Sequence, residues 1–246
     1  MNSCWQYYKV VSNLEDKKIL SRWVVTMSQI KFLFTRSKLL APITRQLLRI
    51  VNIVARLNPL QKYSVRVTTL RYLNVGCGKK PHVHTINLNY EWYPFVDLTW
   101  DITKKLPLKA NSLKGIYTEH VLEHLPFACI PKILEELRRV LEPNGLLRIL
   151  VPDAELYLST YAKIKNGAAI KFPFHDNGKT PIMIVNQVFR DHGHLFAYDF
   201  ETFERLLNEA GFRQVKKCNH KESGDPNLML DSDERAPESL RIECIK

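Results

Sequence analysis

From about residue 70 onward, short apolar runs alternate with stretches whose apolar residues recur every three or four positions. That rhythm restricts the chain more than any other feature. Its clearest strand is 146–151, LLRILV, almost wholly apolar and so suited to a sheet covered on both faces. The runs 71–75, 85–88, 95–98, 112–118, 213–218 and 239–245 predict further strands. A helix is expected over 128–141, where Ile130, Ile133, Leu134, Leu137 and Leu141 share one side and Pro143-Asn144-Gly145 ends it. Asp153 is a good N-cap for another helix, and a third is expected over 199–210 with Gly211 as its C-cap. Strands linked through helices imply right-handed crossovers, hence an α/β chain with a doubly wound, mostly parallel sheet.

Charge divides the chain. Residues 1–71 hold 13 Lys and Arg against only Glu15 and Asp16, while the remainder is balanced, so the net charge of +11 lies entirely in an N-terminal arm. The expected organisation is a basic, mostly helical arm over 1–69 and an α/β domain over 70–246. A neutral body argues against a nucleic-acid partner. Within 38–57 of the arm, Leu39, Ile43, Leu47, Ile50, Val54 and Leu57 fall on one helix face, with Arg45, Arg49, Asn52 and Arg56 on another. Such a helix fits peripheral contact with the inner face of an anionic membrane, or packing on the protein's own body or a second copy in a homo-oligomer. Five scattered cysteines without a CxxC pair suit a reducing compartment, and no apolar run reaches the roughly 18 residues of a membrane span. The expectation is a cytoplasmic chain.

In a sheet of this kind ligands bind off the carboxyl ends of the strands. The first strand ends in YLNVGCG, where Gly76 and Gly78 either make a tight turn or let backbone amides approach a ligand. Asn89, with Glu91 nearby, stands at the end of the second strand, where a ribose hydroxyl would find a partner. Asp101 stands at the end of the third, placed for an adenine amine. Just past the fourth come Glu119, His120, Glu123 and His124.

The set NVGCG, VDLTWDITKKLP, YTEHVLEHL, LRRVLEPNG, LLRILVPD and DHGHLFAYDFETFERLLNEAGF resembles class I S-adenosylmethionine-dependent methyltransferases. It is most like the small ones often associated with surface-glycan biosynthesis. The resemblance covers about 70–246 and implies a seven-stranded sheet with an antiparallel last strand. It also implies S-adenosylmethionine as cofactor. By matching position, Asn74, Gly76, Cys77 and Gly78 would line the methionine and ribose end, Asn89 would meet the ribose hydroxyls, and Asp101 with Ile102 would meet the adenine. Glu119 and His120 would begin the segment facing the methyl group. Asn74 and Asn89 stand where acids are common in the family.

The acceptor is expected to be a hydroxyl of a sugar, glycan or small molecule, deprotonated by a general base. His192 is the first candidate, with Asp191 or Glu119 to orient or replace it and His194 and His120 next; histidine suits the task because it titrates near neutrality. Equally, Asp191, His192 and His194 could tie the insert 166–190 to the sheet. No metal is expected from the His82-x-His84 and His192-x-His194 pairs alone. The rivals are a non-catalytic scaffold of the same fold and a dinucleotide-binding dehydrogenase, the latter disfavoured by the missing third glycine.

Overall fold

The computed structural model describes residues 41–174 and 178–246. The start of the predicted 38–57 helix therefore lies outside the described residues. Seven strands, β1 (Tyr72–Val75), β2 (Ile86–Asn89), β3 (Leu98–Thr99), β4 (Leu113–Glu119), β5 (Leu141–Pro152), β6 (Arg213–Lys217) and β7 (Ser239–Ile245), take the order β3-β2-β1-β4-β5-β7-β6. The helices are α1 (Ala41–Leu57), α2 (Val65–Thr69), α3 (Ile130–Val140), α4 (Ala154–Lys165), α5 (Pro181–Arg190) and α6 (Phe200–Glu209). This is the expected α/β fold with β7 antiparallel to both its neighbours. By compactness the chain divides into two units: residues up to Leu70 with 77–101, and 71–76 with 102–246.

In the larger unit β1, β4 and β5 run parallel, and strand order reverses between β1 and β4, which puts the ligand crevice at their carboxyl ends. Helix α3 buries Ile133, Leu134, Leu137 and Val140 and packs on α6 and β5. It stops at Val140, earlier than expected, because Leu141 already pairs with Leu113 of β4. The sheet face carrying Tyr117 and Leu150 packs against Leu228, fully buried in the short 3-10 turn Pro226–Leu228, and Leu230, both from the polar loop 219–238. Asp153 caps α4 by accepting from Leu156 N at 3.1 Å, and Asp199 caps α6 through Thr202 N at 2.9 Å. The insert 166–190 contains α5, which buries Ile184 and Val185 against Tyr157 of α4.

In the smaller unit β2 and β3 are a short parallel pair. β3 begins at Leu98, later than the predicted 95–98 run, because Val96 N donates to Tyr93 O and closes a turn. Turns alone join β1 to β2, where a doubly wound sheet ordinarily places a helix. Helix α1 turns polar groups onto its own unit: Asn52 Oδ1 accepts from Trp92 N, and Arg56 donates to Tyr90 O and lies over the Tyr90 ring. Its residues Leu47, Ile50, Val54 and Leu57 remain exposed. Among the described residues no helix is long and apolar enough to cross a membrane.

Candidate active site

The loop after β1 is left-handed at both glycines, with φ +69° at Gly76 and +52° at Gly78. A Cβ on Gly76 would collide with Cγ2 of Val121, so the turn after β4 presses directly on that backbone. In the smaller unit Cys77 N donates to Leu88 O at 3.0 Å, and Gly78 N to Asn89 Oδ1 at 3.4 Å. Asn89 Nδ2 donates to Glu91 O at 2.9 Å. The Asn89 amide thus keeps one N–H and one lone pair, enough to bond a ribose hydroxyl. Burial first, then the Asp97 charge, push the Cys77 thiol up to about 12, so it stays neutral and adds no charge to the loop. Asp101 is half-buried just past β3, whereas Ile102, the first residue of the larger unit after it, and Asn74 within β1 are buried.

In the larger unit Glu119 ends β4, but its Oε1 accepts from both the backbone N and the hydroxyl of Ser232, at 3.1 and 2.7 Å. His120 follows with φ +51° and anchors its own N–H on Leu150 O. Its Nε2 lies 2.9 Å from Ser239 Oγ, and since that hydroxyl donates to Arg235 O, Nε2 is the donor. His192 has φ +60° and is exposed beside Gly193 at +83°. With His194, Tyr157, Phe174, Gln187 and Glu238 it lines a cavity of about 290 Å³ that opens beside Pro152, the last residue of β5. Neither Asp191 nor Glu119 hydrogen-bonds His192; Asp191 uses its carbonyl to hold His194 N at 3.2 Å.

Two segments to which the sequence motifs assign no joint role meet here. The turn after β4 holds His120, Glu123 and His124 at helical spacing, and the Glu123 carbonyl accepts from Leu195 N at 2.7 Å and Phe196 N at 3.3 Å. Glu123, His124 and His194 thereby face one another. The repeated Glu-His pairs of EHVLEH were the available signal.

A family model described as a methyltransferase domain matches residues 38–217. The chain belongs to this methyltransferase family. Its methyl donor is S-adenosylmethionine, and the Gly76-Cys77-Gly78 loop, neutral at Cys77 and backed by an Asn89 amide with bonding capacity to spare, suits that nucleoside. No curated protein sequence matches the methyltransferase. Among solved structures it is similar to a SAM-dependent methyltransferase from Archaeoglobus fulgidus, at 17% identity over 80% of this chain and 94% of that one, with a TM-score of 0.47. A possible histamine N-methyltransferase from Thermotoga maritima is also 17% identical, over 82% and 95%, with a TM-score of 0.45. The phosphoethanolamine N-methyltransferase 2 of Haemonchus contortus, solved with S-adenosyl-L-methionine, is 10% identical over 80% and 52%, with a TM-score of 0.42.

Proposed function

We propose that the methyltransferase transfers its methyl group to a hydroxyl oxygen of a sugar, glycan or small molecule. The observation that carries this reading is the cavity beside Pro152, where the exposed aromatic ring of Phe174 stands among Gln187, Glu238 and two histidines. Rings stack on the apolar face of a sugar or a phenol, and the polar groups orient its hydroxyls. Asn74, Gly76, Cys77, Gly78 and Asn89 are assigned to the methionine and ribose end of the donor, and Asp101 with Ile102 to its adenine. Bound S-adenosylmethionine supplies a methyl group already activated on a sulfonium, so the chain's own work is to align the acceptor and remove one proton.

Alignment by the cavity walls accounts for the larger part, since positioning lowers such barriers by up to about 7–11 kcal/mol. His192 takes the acceptor proton at the cavity rim. Its ring is exposed and has no carboxylate partner among the described residues, which leaves it open to the hydroxyl. Glu119 is assigned a positioning role through Ser232.

Replacing His192 by Ala should lower kcat by about 10²–10⁴ with a hydroxyl acceptor and leave donor affinity unchanged. Turnover against sugar, lipid-linked and phenolic acceptors, with isothermal titration of the donor, checks both halves. Wild-type turnover in the variant removes His192 from the mechanism. Absence of donor binding by the wild-type chain leaves the scaffold reading in its place.

A further inference from the structure

The carboxylate of Glu123 is in an unusual position. It is only 1% exposed, yet neither of its oxygens accepts a hydrogen bond. An isolated buried carboxylate costs several kcal/mol unless something compensates it. Among the described residues no lysine or arginine pairs with it; the basic side-chain nitrogens beside it are His120 Nδ1 at 3.3 Å and His124 Nε2 at 4.0 Å. The Tyr198 hydroxyl is also buried without a hydrogen-bond partner. Burial, and then the charge of Glu123, push that phenol far above its ordinary value. Buried polar groups left open in this way call for a guest that the protein atoms do not supply.

We propose that Glu123, His124 and His194 bind one divalent transition-metal ion, Zn2+ before the others. The inference goes beyond the methyl-transfer reading, which needs no metal. One ligand atom from each of the three residues lies within 4.8 Å of the other two. With metal–ligand bonds of about 2.0–2.2 Å at tetrahedral angles, two ligands on one ion stand about 3.4 Å apart, so closure requires a contraction of up to roughly 1.4 Å. His124, with 36% of its side chain exposed, has room to make that movement and leaves a coordination position open to solvent.

The donor set decides the class of ion. Two imidazoles and one carboxylate favour zinc and its neighbours over Mg2+ or Ca2+, which prefer oxygen. The surroundings are built for ligation as well. His194 Nδ1 lies 2.6 Å from Val188 O, and a carbonyl can only accept, so Nδ1 carries the proton and the Nε2 lone pair is left for a metal. That is the outer bond by which metal-binding histidines are usually held. The Glu123 carbonyl, accepting from Leu195 and Phe196, fixes the two ligand-bearing segments to each other before any ion arrives.

The test uses the untagged full-length chain, stripped with chelator, desalted and titrated with Zn2+ and separately with Co2+. The expected result is one ion per chain at micromolar or lower Kd, and a visible Co2+ spectrum typical of four or five nitrogen and oxygen ligands without sulfur. The double variant His124→Ala/His194→Ala should bind at least a hundredfold more weakly, and Glu123→Gln at least tenfold. A wild-type chain that takes up neither ion overturns the proposal. So does a folded double variant that binds undiminished, or a Co2+ spectrum showing thiolate ligands. Should the double variant fail to fold, the spectrum of the wild-type chain decides between the last outcome and the expected one.

Discussion

Two buried charged side chains of the larger unit, Arg148 and Glu123, are treated in opposite ways. Arg148 is fully buried in β5, and all five guanidinium N–H groups are used. Nε and Nη2 grip both oxygens of Asp231 at 2.8 and 2.6 Å, Nη1 reaches Glu243 Oε1 at 2.9 Å and Glu222 O at 2.8 Å, and Nη2 also reaches Asn219 O at 3.3 Å. Glu123, equally removed from solvent, accepts nothing. The first cluster is complete and has no capacity left for a ligand. Its partners in β7 and in the loop 219–238 show what it does: it fastens that loop over the sheet face carrying Tyr117 and Leu150. The second is unfinished without a guest. Burial of charge alone therefore does not mark a functional site; unspent bonding capacity does.

The largest effect should come from opening the complete cluster. Arg148→Ala takes from buried Asp231 and Glu243 their shared guanidinium, leaving Asp231 with Arg241 and the Lys221 N–H and Glu243 with the Gly224 N–H and a distant Lys216. Removal of one partner from such a group costs about 3–5 kcal/mol. Urea denaturation should register that loss, and the loop 219–238 should become sensitive to proteolysis before the rest of the chain. A loss below about 1 kcal/mol would mean that the loop is held by Leu228 and its apolar neighbours instead.

Acid should produce a smaller effect at the same cluster. Burial raises the Asp231 pKa, but the hydrogen bond and charge of Arg148 outweigh it and hold the carboxyl below its ordinary value of 3.8. Because the folded value is the lower one, the unfolded chain binds more protons in that window and stability rises with pH across it. The contribution is complete above the ordinary value and disappears as pH falls through the folded one. Thermal melts taken downward from about pH 5 should show this decline. In Arg148→Ala the decline should flatten, since the group that does most to depress Asp231 is gone, while the Lys221 N–H and the Arg241 charge remain to do so.

How far these features could be read beforehand differs with their origin. Strands β4, β5 and β7 and the cap Asp153 follow from local pattern and were legible, whereas the antiparallel last strand was what the family resemblance implied. Helix α5 was not, because exposed Ile182 and Met183 stand beside buried Ile184 and Val185 and blur the helical period. The position of Glu119 at a strand end was legible, but its partner Ser232 lies far along the chain. Gly76 illustrates the same limit: its freedom from a Cβ is required by Val121, a packing contact that no motif announces. EHVLEH showed its histidines and acids plainly, yet the exceptional state of Glu123 depends on segment 194–196 folding back onto it.

The smallest predicted change is the one that most sharpens the contrast. In chelator-treated protein Glu123→Gln replaces a buried carboxylate that accepts no hydrogen bond and has no lysine or arginine partner among the described residues by a neutral group of the same shape. Leaving a buried charge unpaired costs more than leaving an amide unpaired. The variant should therefore be as stable as the wild-type chain or more stable by up to about 1 kcal/mol, opposite in sign to Arg148→Ala. Adding Zn2+ should reverse the order. An ion bound only by the folded state stabilises it by an amount that grows with concentration over Kd, and the amide of the variant binds it more weakly than the carboxylate does. Paired melts with and without Zn2+ read both signs. If Glu123→Gln instead lost about 2 kcal/mol or more without metal, the carboxylate would have a partner in solution, and the two clusters would be of one kind after all.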